Sequence, residues 1–584
     1  MGGGGARNCG KYGAFKRGLC FFFMKFKWII SDRQESDLWE CLLARRGVLP
    51  NQRQEFLYPD WDKNTHSPFL FTRMEEAVER FFTVLTRGEK IIIHGDYDAD
   101  GVSGSALLYT TIEEIIEKMN SKSSLEVFLP DRQSDGYGVA KHTMQKFIKD
   151  KTNLVITVDC GIANADVFDL AHASGVSVII CDHHQLGERV PEHAFVIHPL
   201  VPGEVYPNKT LCGTGVAFKF ASALIEEARK RGFAFPTGHE KWLLDFVAIA
   251  TVTDVMPLLG ENRTLETYGL KVLNKTRRPG ILKIIELSGS TLGSIDTETI
   301  GFRIGPRLNA AGRIGSARLA FDTLVAKTID DAIVLAAQLE SLNRERQRIT
   351  AAAYVQARAL ALKKPQAFVQ VVTSNDWAPG IVGLLSGKLA TEFGLPAFAF
   401  TSVNGQFVGS GRSAGDMHLL EAMKSCGDIF LKAGGHPAAC GLTLATHQDI
   451  ELFEELINKF ARDFFKNEAP QPELILDGYL NFSEVTFELF DLFKLLSPFG
   501  QGNREPIFVS EAVINEARAV GERGDHLKLT LRTASGIRDL IGFGFGKLAE
   551  KLPVNASVKI AYNISVNEWN GNKTLQGKIV DIEL

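Results

Sequence analysis

The chain has 584 residues, with 65 Lys+Arg against 69 Asp+Glu and a formal net charge of -4. Roughly three or four domains of about 150 residues fit that length, and 45% apolar with 23% charged residues exclude wholesale disorder. The charge balance excludes a chain coated in basic patches, but a local basic groove fits inside a neutral total, so nucleic acid stays open as a ligand.

In chain order, the first 23 residues run from MGGGGARNCG to GLCFFF, and Lys25 and Lys27 follow closely. The apolar core is too short for a signal peptide. Residues 1–30 therefore read as a disordered extension or a misassigned start, with Met24 as an alternative first residue. No apolar run reaches the roughly 20 residues needed to cross a bilayer. The eight cysteines form no CxxC pair, which argues against a zinc knuckle or disulfide framework and fits a reducing cytoplasm.

From Lys90 to Leu200, KIIIHGDYDADG, NLVITVDCG, VSVIICDHH and AFVIHPL alternate with helical stretches. Such Val/Ile runs predict strands buried on both faces, joined as βαβ units in a parallel sheet. Ligands of open α/β sheets bind beyond the carboxyl ends of strands, where the first three runs place acidic and histidine residues. Near residue 330 a long helix begins at Asp330 and Asp331 and stops before Pro365, spanning on the order of 50 Å. α/β character returns over 366–465, with a glycine-rich AGGHPAACG. From 472 onward five short strands predict a small β-barrel, with the OB-fold as leading candidate.

HGDYDAD supplies His94, Asp98 and Asp100 directly after a strand; Asp159, Asp182-His183-His184 and Asp254 follow later runs. Mixed imidazole and carboxylate ligands suit manganese or iron better than magnesium, though magnesium remains open. There are enough carboxylates for two divalent metals sharing a bridging aspartate. Singly, each aspartate is most often a turn former or helix cap. Six metal-competent side chains on one sheet edge need a common cause.

These segments resemble the DHH phosphoesterase superfamily and, within it, the RecJ-type single-stranded-DNA exonucleases. HGDYDADG, PDRQSDGYG (130–138), TVDCG, CDHH, ATVTDVMPL and GPRLNAAGR (305–313) are similar to successive family motifs. GSGRS and AGGH resemble the DHH-associated domain, LSPFGQGNREPIF (496–508) the approach to the OB-like domain, and LWECLLARRGV (38–48) the N-terminal segment. The resemblance implies a DHH catalytic domain over 31–327, a connecting helix over 328–365, a DHH-associated substrate domain over 366–465 and an OB-like domain over 472–584.

It also implies a ligand set: His94, Asp98 and Asp159 for one metal (Mn2+ or Mg2+), and Asp100, Asp159, His183 and Asp254 for the other. Asp159 would bridge, His184 would face the phosphate, and Asp96 would orient His94. Two such ions, roughly 3.5–4 Å apart, promote in-line hydrolysis of a phosphodiester. For substrate the resemblance implies Arg132, the candidate reader of a 5′-phosphate, with Arg307, Asn309, Arg313, Arg412 and Ser413. His436, flexibly placed by Gly434 and Gly435, would act on the scissile phosphate alongside His184 and Asp159. The four arginines each lie within two residues of Gly or Pro, where backbone can approach a phosphate and a guanidinium can grip two oxygens.

The activity so implied is 5′-to-3′ degradation of single-stranded DNA in recombination and repair, in a channel too narrow for duplex. The enzyme would be a bacterial, cytoplasmic monomer working with a helicase and a single-stranded-DNA-binding protein. One rival reading is a phosphodiesterase for short oligonucleotides or cyclic dinucleotides, which would not need the barrel and long helix. The other is an inactive DNA-binding scaffold, against which the complete ligand set argues. Ala378 replaces a histidine usual in the family, Lys388 an arginine, and Arg504 a common proline, which bears on DNA affinity. Phe543, Phe545, Tyr562 and Trp569 are candidates for stacking on bases. SGKL (386–389) lacks the Walker A pattern, and GTG (213–215) makes no dinucleotide fingerprint.

Overall fold

The computed structural model describes residues 26–30, 38–132, 135–136, 138–569 and 572–584. The expectations for the extension before residue 26 lie outside the described residues. Residues 27–30, expected in that extension, instead form strand β1 (Lys27–Ile30), which pairs in parallel with a strand near residue 475. The chain divides into two compact units. The first comprises Gln52–Ile349 with Pro498–Arg504, and the second holds the remainder.

The first unit is built on five parallel strands: β2 (Ile91–Gly95), β3 (Leu125–Phe128), β4 (Leu154–Val158), β5 (Ser177–Cys181) and β6 (Phe195–Ile197), in the order β3-β2-β4-β5-β6. Period-two alternation explains the two-sided burial. Ile91, Ile93, Leu154, Ile156 and Val158 enter one apolar cluster with Phe81, Phe218 and Phe246. Ile92, Val155, Val178 and Ile180 enter the other, with Phe147 and Phe168. Each such side chain contributes about 1.5–3 kcal/mol on burial. From β2 the chain steps outward to β3 and returns across β2 to β4, so the crevice of this sheet opens at the carboxyl ends of β2 and β4. His94 is the penultimate residue of β2, and Asp159 immediately follows β4.

The helix Ile329–Ala361 carries the chain onward, and the division between units falls inside it, between Ile349 and Thr350. In the second unit, β7 (Gln370–Thr373), β8 (Ala397–Val403), β9 (Gln406–Arg412), β10 (Lys432–His436) and β11 (Ala439–Leu444) form a mixed sheet ordered β10-β11-β9-β8-β7. Next come β12 (Glu473–Leu476), the partner of β1, and β13 (Gly478–Tyr479). The barrel consists of β14 (Phe508–Val520), β15 (His526–Thr533), β16 (Gly536–Gly542), β17 (Ser557–Trp569) and β18 (Asn572–Glu583). Pairing of β14 with both β15 and β17 closes it, as an OB-fold requires.

Residues 38–51 group with the second unit, where Arg45 Nη1 donates to the Asp477 carbonyl. Pro498–Arg504, read as the approach to the barrel, groups with the first unit: Leu258 N donates to Gln501 O at 2.8 Å and Thr297 Oγ1 to Phe499 O at 2.6 Å. Two stacking candidates are corrected. Tyr562 is 1% exposed, with its hydroxyl 2.9 Å from Ser510 Oγ, and Phe545 is buried, so both serve the interior. Phe543 remains partly exposed, while the Trp569 side chain lies outside the described residues. The six described cysteines are free thiols. No helix among the described residues is long and apolar enough to cross a membrane.

Candidate active site

The turn after β2 becomes the helix Ala99–Met119, and Asp98 caps it, accepting from Asp100 N at 3.0 Å and Gly101 N at 3.1 Å. The cap is compatible with Asp98 being a candidate ligand as well. Asn309 Oδ1 accepts from Ala99 N at 2.9 Å, so this expected substrate residue also fixes the start of that helix. Asp100 is held from the opposite side. Gly213 N and Thr214 N, the first donors of the helix Gly213–Lys230, reach its two carboxylate oxygens at 2.7 Å each. A helix N-terminus is a natural anion seat, so the GTG segment that fails as a dinucleotide fingerprint is the cradle of a candidate ligand.

Asp159 adopts φ +61, and Val255, just after Asp254, adopts φ +60. Left-handed backbone costs about 1–3 kcal/mol at such a position and concentrates at functional sites. Asp159 itself takes this conformation, while Asp254 directly precedes the residue that does. Asp159 Oδ1 lies 3.1 Å from His183 Nε2, and Asp254 Oδ2 lies 3.5 Å from it. Three sets of ligand atoms gather within 4.8 Å: Asp159, His183 and His184; Asp100, His183 and Asp254; and Asp96, Asp98 and Asp159. His94 belongs to none of these sets, yet its Nε2 is buried without a partner.

Among the described residues, His94 Nε2, Asp96 Oδ1, Asp159 Oδ1, His183 Nε2 and Asp254 Oδ2 are all buried and make no hydrogen bond. Leaving one such group unsatisfied costs about 1–3 kcal/mol, and four of the five, Asp96, Asp159, His183 and Asp254, lie in the sets that could hold a cation. The electrostatics agree. Burial first, and the neighbouring carboxylates second, push Asp159 and Asp96 well above the usual carboxylate range and Asp254 up to about 9. Burial pulls His94 and His183 down to about 4, which keeps both rings neutral, each with one nitrogen lone pair free to ligate.

His184 is set apart. Burial opposes its charge, but the 2.8 Å hydrogen bond from Nδ1 to Asp182 and that carboxylate's charge raise it to about 9. Asp182 is itself locked. Burial works against its ionisation, but His184, the His183 and His184 N–H groups and Ile162 N hold it well below the ordinary range. A further histidine steadies the turn: Leu200 N donates to His198 Nδ1 at 3.0 Å, which leaves Nε2 as the donor to His184 O at 2.9 Å.

The other expected residues divide. Arg132 stacks over the Tyr97 ring at 4.2 Å and acts electrostatically on Asp96, and Arg313 acts on Tyr97. Arg307, expected to bind substrate, makes internal contacts. Its guanidinium donates to Glu340 at 2.7 Å, Arg303 O at 2.6 Å and Leu287 O at 3.3 Å. Asp96 makes no hydrogen bond to His94 among the described residues; it faces Asp98 and Asp159, where it can serve as a ligand. In the second unit Arg412, Ala439 and His436 stand in register across β9, β11 and β10, joining the GSGRS and AGGH motifs on one sheet. Ser413 Oγ donates to Met417 O at 2.6 Å. Gly435 permits this pairing: at φ +141, an added Cβ would lie 2.4 Å from Ala439 O. Lys388 Nζ sits 5.1 Å from the Tyr354 ring centroid.

Residues 90–251 match the DHH family N-terminal domain, 364–463 the DHHA1 domain and 476–581 the RecJ OB domain. The single-stranded-DNA-specific exonuclease RecJ of Escherichia coli is 32% identical, over 86% of this chain and 89% of its own length. The chain belongs to the RecJ family. The RecJ of Bacillus subtilis is 34% identical, over 95% of this chain and 69% of its own length. Thermus thermophilus RecJ crystallised with Mn2+ superposes with a TM-score of 0.78 at 29% identity, covering 94% of this chain and 76% of that one. The corresponding Mg2+ complex gives a TM-score of 0.73 at 28% identity, with 94% and 74% covered. Both ions suit the mixed oxygen and nitrogen donors gathered here.

Sequence reasoning missed the Gly213-Thr214 cradle, Tyr97 beside Arg132, and Asp96 as a candidate ligand. The cradle has a consequence. A Cβ on Gly213 would lie 2.5 Å from both Cβ and Oδ1 of Asp159. Gly213→Ala is expected to cost about 1–3 kcal/mol in stability by overpacking and to reduce hydrolysis about a hundredfold by displacing the candidate ligands Asp159 and Asp100. Thermal unfolding and single-strand degradation rates check this; wild-type turnover in the variant would refute the cradle.

Proposed function

We propose that the chain is a metal-dependent exonuclease that hydrolyses single-stranded DNA from the 5′ end with two divalent ions. The carrying observation is the set of five buried, unpartnered ligand atoms at the switch point of the parallel sheet. His94, Asp98 and Asp159 would hold one ion, and Asp100, Asp159, His183 and Asp254 the other, with Asp96 as a further donor. When bound, the ions supply an activated water and neutralise charge on the phosphoryl group.

The protein's own residues do the rest. Gly213 N and Thr214 N keep Asp100 oriented. Asp182 keeps His184 protonated, so its imidazolium can donate to a phosphate oxygen and stabilise charge as it develops. Arg132, 4.2 Å from the Tyr97 ring centroid, is assigned to a terminal 5′-phosphate. Arg313, Arg412, Ser413 and His436 are assigned to the strand. The barrel and the complete ligand set favour this reading over a dinucleotide phosphodiesterase or an inactive scaffold. Substrate strands would come from a helicase and carry a single-stranded-DNA-binding protein.

Digestion of one oligonucleotide labelled in turn at each end, with Mn2+, tests direction and class. Early release of the 5′ label as a mononucleotide is expected; early release of the 3′ label, or preference for a dinucleotide, contradicts it. Arg132→Ala should lower the preference for 5′-phosphorylated over 5′-hydroxyl ends about tenfold or more, the scale of a lost charge-assisted contact. An unchanged preference would move that role elsewhere.

A further inference from the structure

A cavity of about 390 Å³ lies in the first unit, away from the ligand cluster. Two helices connect the two places. Asp100 opens the helix Ala99–Met119, and Tyr109, nine residues on, lines the cavity; Asp254 ends the helix Leu244–Thr253, and Asp245, nine residues back, lines it too. At a rise of about 1.5 Å per residue the cavity is about 13 Å from the metal ligands along both helices. It is a separate site.

Its floor is fixed. The buried Asp245 carboxylate accepts from Thr276 Oγ1 and Arg278 Nε, both at 3.0 Å, and Arg278 lies 4.2 Å from the Phe246 ring centroid. Its wall is open to solvent: Trp242 is 47% exposed, with the Arg277 guanidinium 5.2 Å from its ring centroid. Arg277 makes no hydrogen bond or ion pair among the described residues, although the wall carries a second cation, Lys327, bound to Glu113 at 2.8 Å. A large indole and an unpaired guanidinium, side by side on a cavity of small-molecule size, are the residue types that dominate binding energy. A planar base can stack on the indole, and a phosphate dianion can take Arg277 and Lys327.

We propose that this cavity binds a nucleoside 5′-monophosphate, either free or as the terminal nucleotide of a strand. The assignment rests on the cavity's own chemistry and does not depend on the exonuclease reading. The test is isothermal titration of the full-length protein in EDTA with 5′-dAMP, a 5′-phosphorylated trinucleotide and inorganic phosphate. The variants are Arg277→Glu, Trp242→Leu and Arg132→Ala. Both cavity residues are exposed, so unchanged unfolding temperatures and unchanged exonuclease rates are expected. Binding of dAMP should weaken about tenfold or more, roughly 1.4 kcal/mol, in Arg277→Glu and Trp242→Leu, and should persist in Arg132→Ala. Tighter binding of dAMP than of the trinucleotide identifies the free nucleotide as occupant, and the reverse identifies a chain end. Absence of dAMP binding, equal binding in the cavity variants, loss in Arg132→Ala, or inorganic phosphate binding as tightly as dAMP would overturn the proposal.

Discussion

Asp159→Asn is expected to lower single-strand hydrolysis by at least about a thousandfold, some 4 kcal/mol of barrier, while leaving the protein folded. Asp159 belongs to two of the three ligand sets, and its Oδ1 lies within 3.1 Å of His183 Nε2. No other carboxylate sits so centrally. Asparagine preserves shape and tolerates the φ of +61, so the substitution isolates the loss of a bridging charge from loss of fold. Alanine at the same position should be equally inactive and also less stable, because it gains nothing locally from left-handed backbone. Single-turnover degradation of a labelled oligonucleotide with Mn2+, alongside thermal unfolding, measures both. Normal turnover in the asparagine variant would refute the assignment.

The second large effect is thermodynamic. In metal-free protein Asp96, Asp98, Asp159 and Asp254 are raised by burial and mutual repulsion, Asp254 to about 9. The unfolded chain releases those protons near pH 4, at about 3.9 for aspartate. Between about pH 4 and 9 the folded state therefore binds more protons, and stability falls as pH rises. This stabilisation is fully present below pH 4 and is lost as pH climbs through the raised values. His94 and His183, lowered to about 4, oppose this trend between about pH 4 and 6.5, where the unfolded chain still protonates them, and contribute nothing above that range. Mn2+ must displace the protons that remain, so it should stabilise more at pH 8.5 than at pH 6. A difference of about 4 °C or more in the Mn2+-induced shift is expected, on the scale of 1–2 kcal/mol for a unit of this size. An equal shift, or a larger one at pH 6, would contradict the picture of carboxylates strained by one another.

Much of this site was legible because chemistry and periodicity coincide. Continuous Val/Ile runs mark buried parallel strands, and each of the first three delivers His94, Asp159 or Asp182-His183-His184 to the same edge. The Gly213-Thr214 cradle was not legible, since the groups that hold Asp100 are backbone N–H donors, which every residue but proline carries. The role of Asp96 depends on which way a short turn rotates, and spacing does not encode that. The internal pairing of Arg307 was not legible for a similar reason. Its partner Glu340 lies 33 residues on, and a guanidinium suited to phosphate is equally suited to a carboxylate. In the barrel, alternation placed the strands correctly, but Tyr562 turns inward because Ser510 satisfies its hydroxyl, a pairing between strands remote in sequence. Residues 27–30 were unreadable as structure because a four-residue strand gains its stability only from β12, across more than 440 positions.

Anomalous diffraction from crystals of the protein soaked in Mn2+ tests the central claim most directly. Two peaks are expected in the crevice beyond β2 and β4, one against His94 and Asp98, the other against His183 and Asp254, with Asp159 touching both. Peaks confined to surface carboxylates, with none among these side chains, would contradict the account.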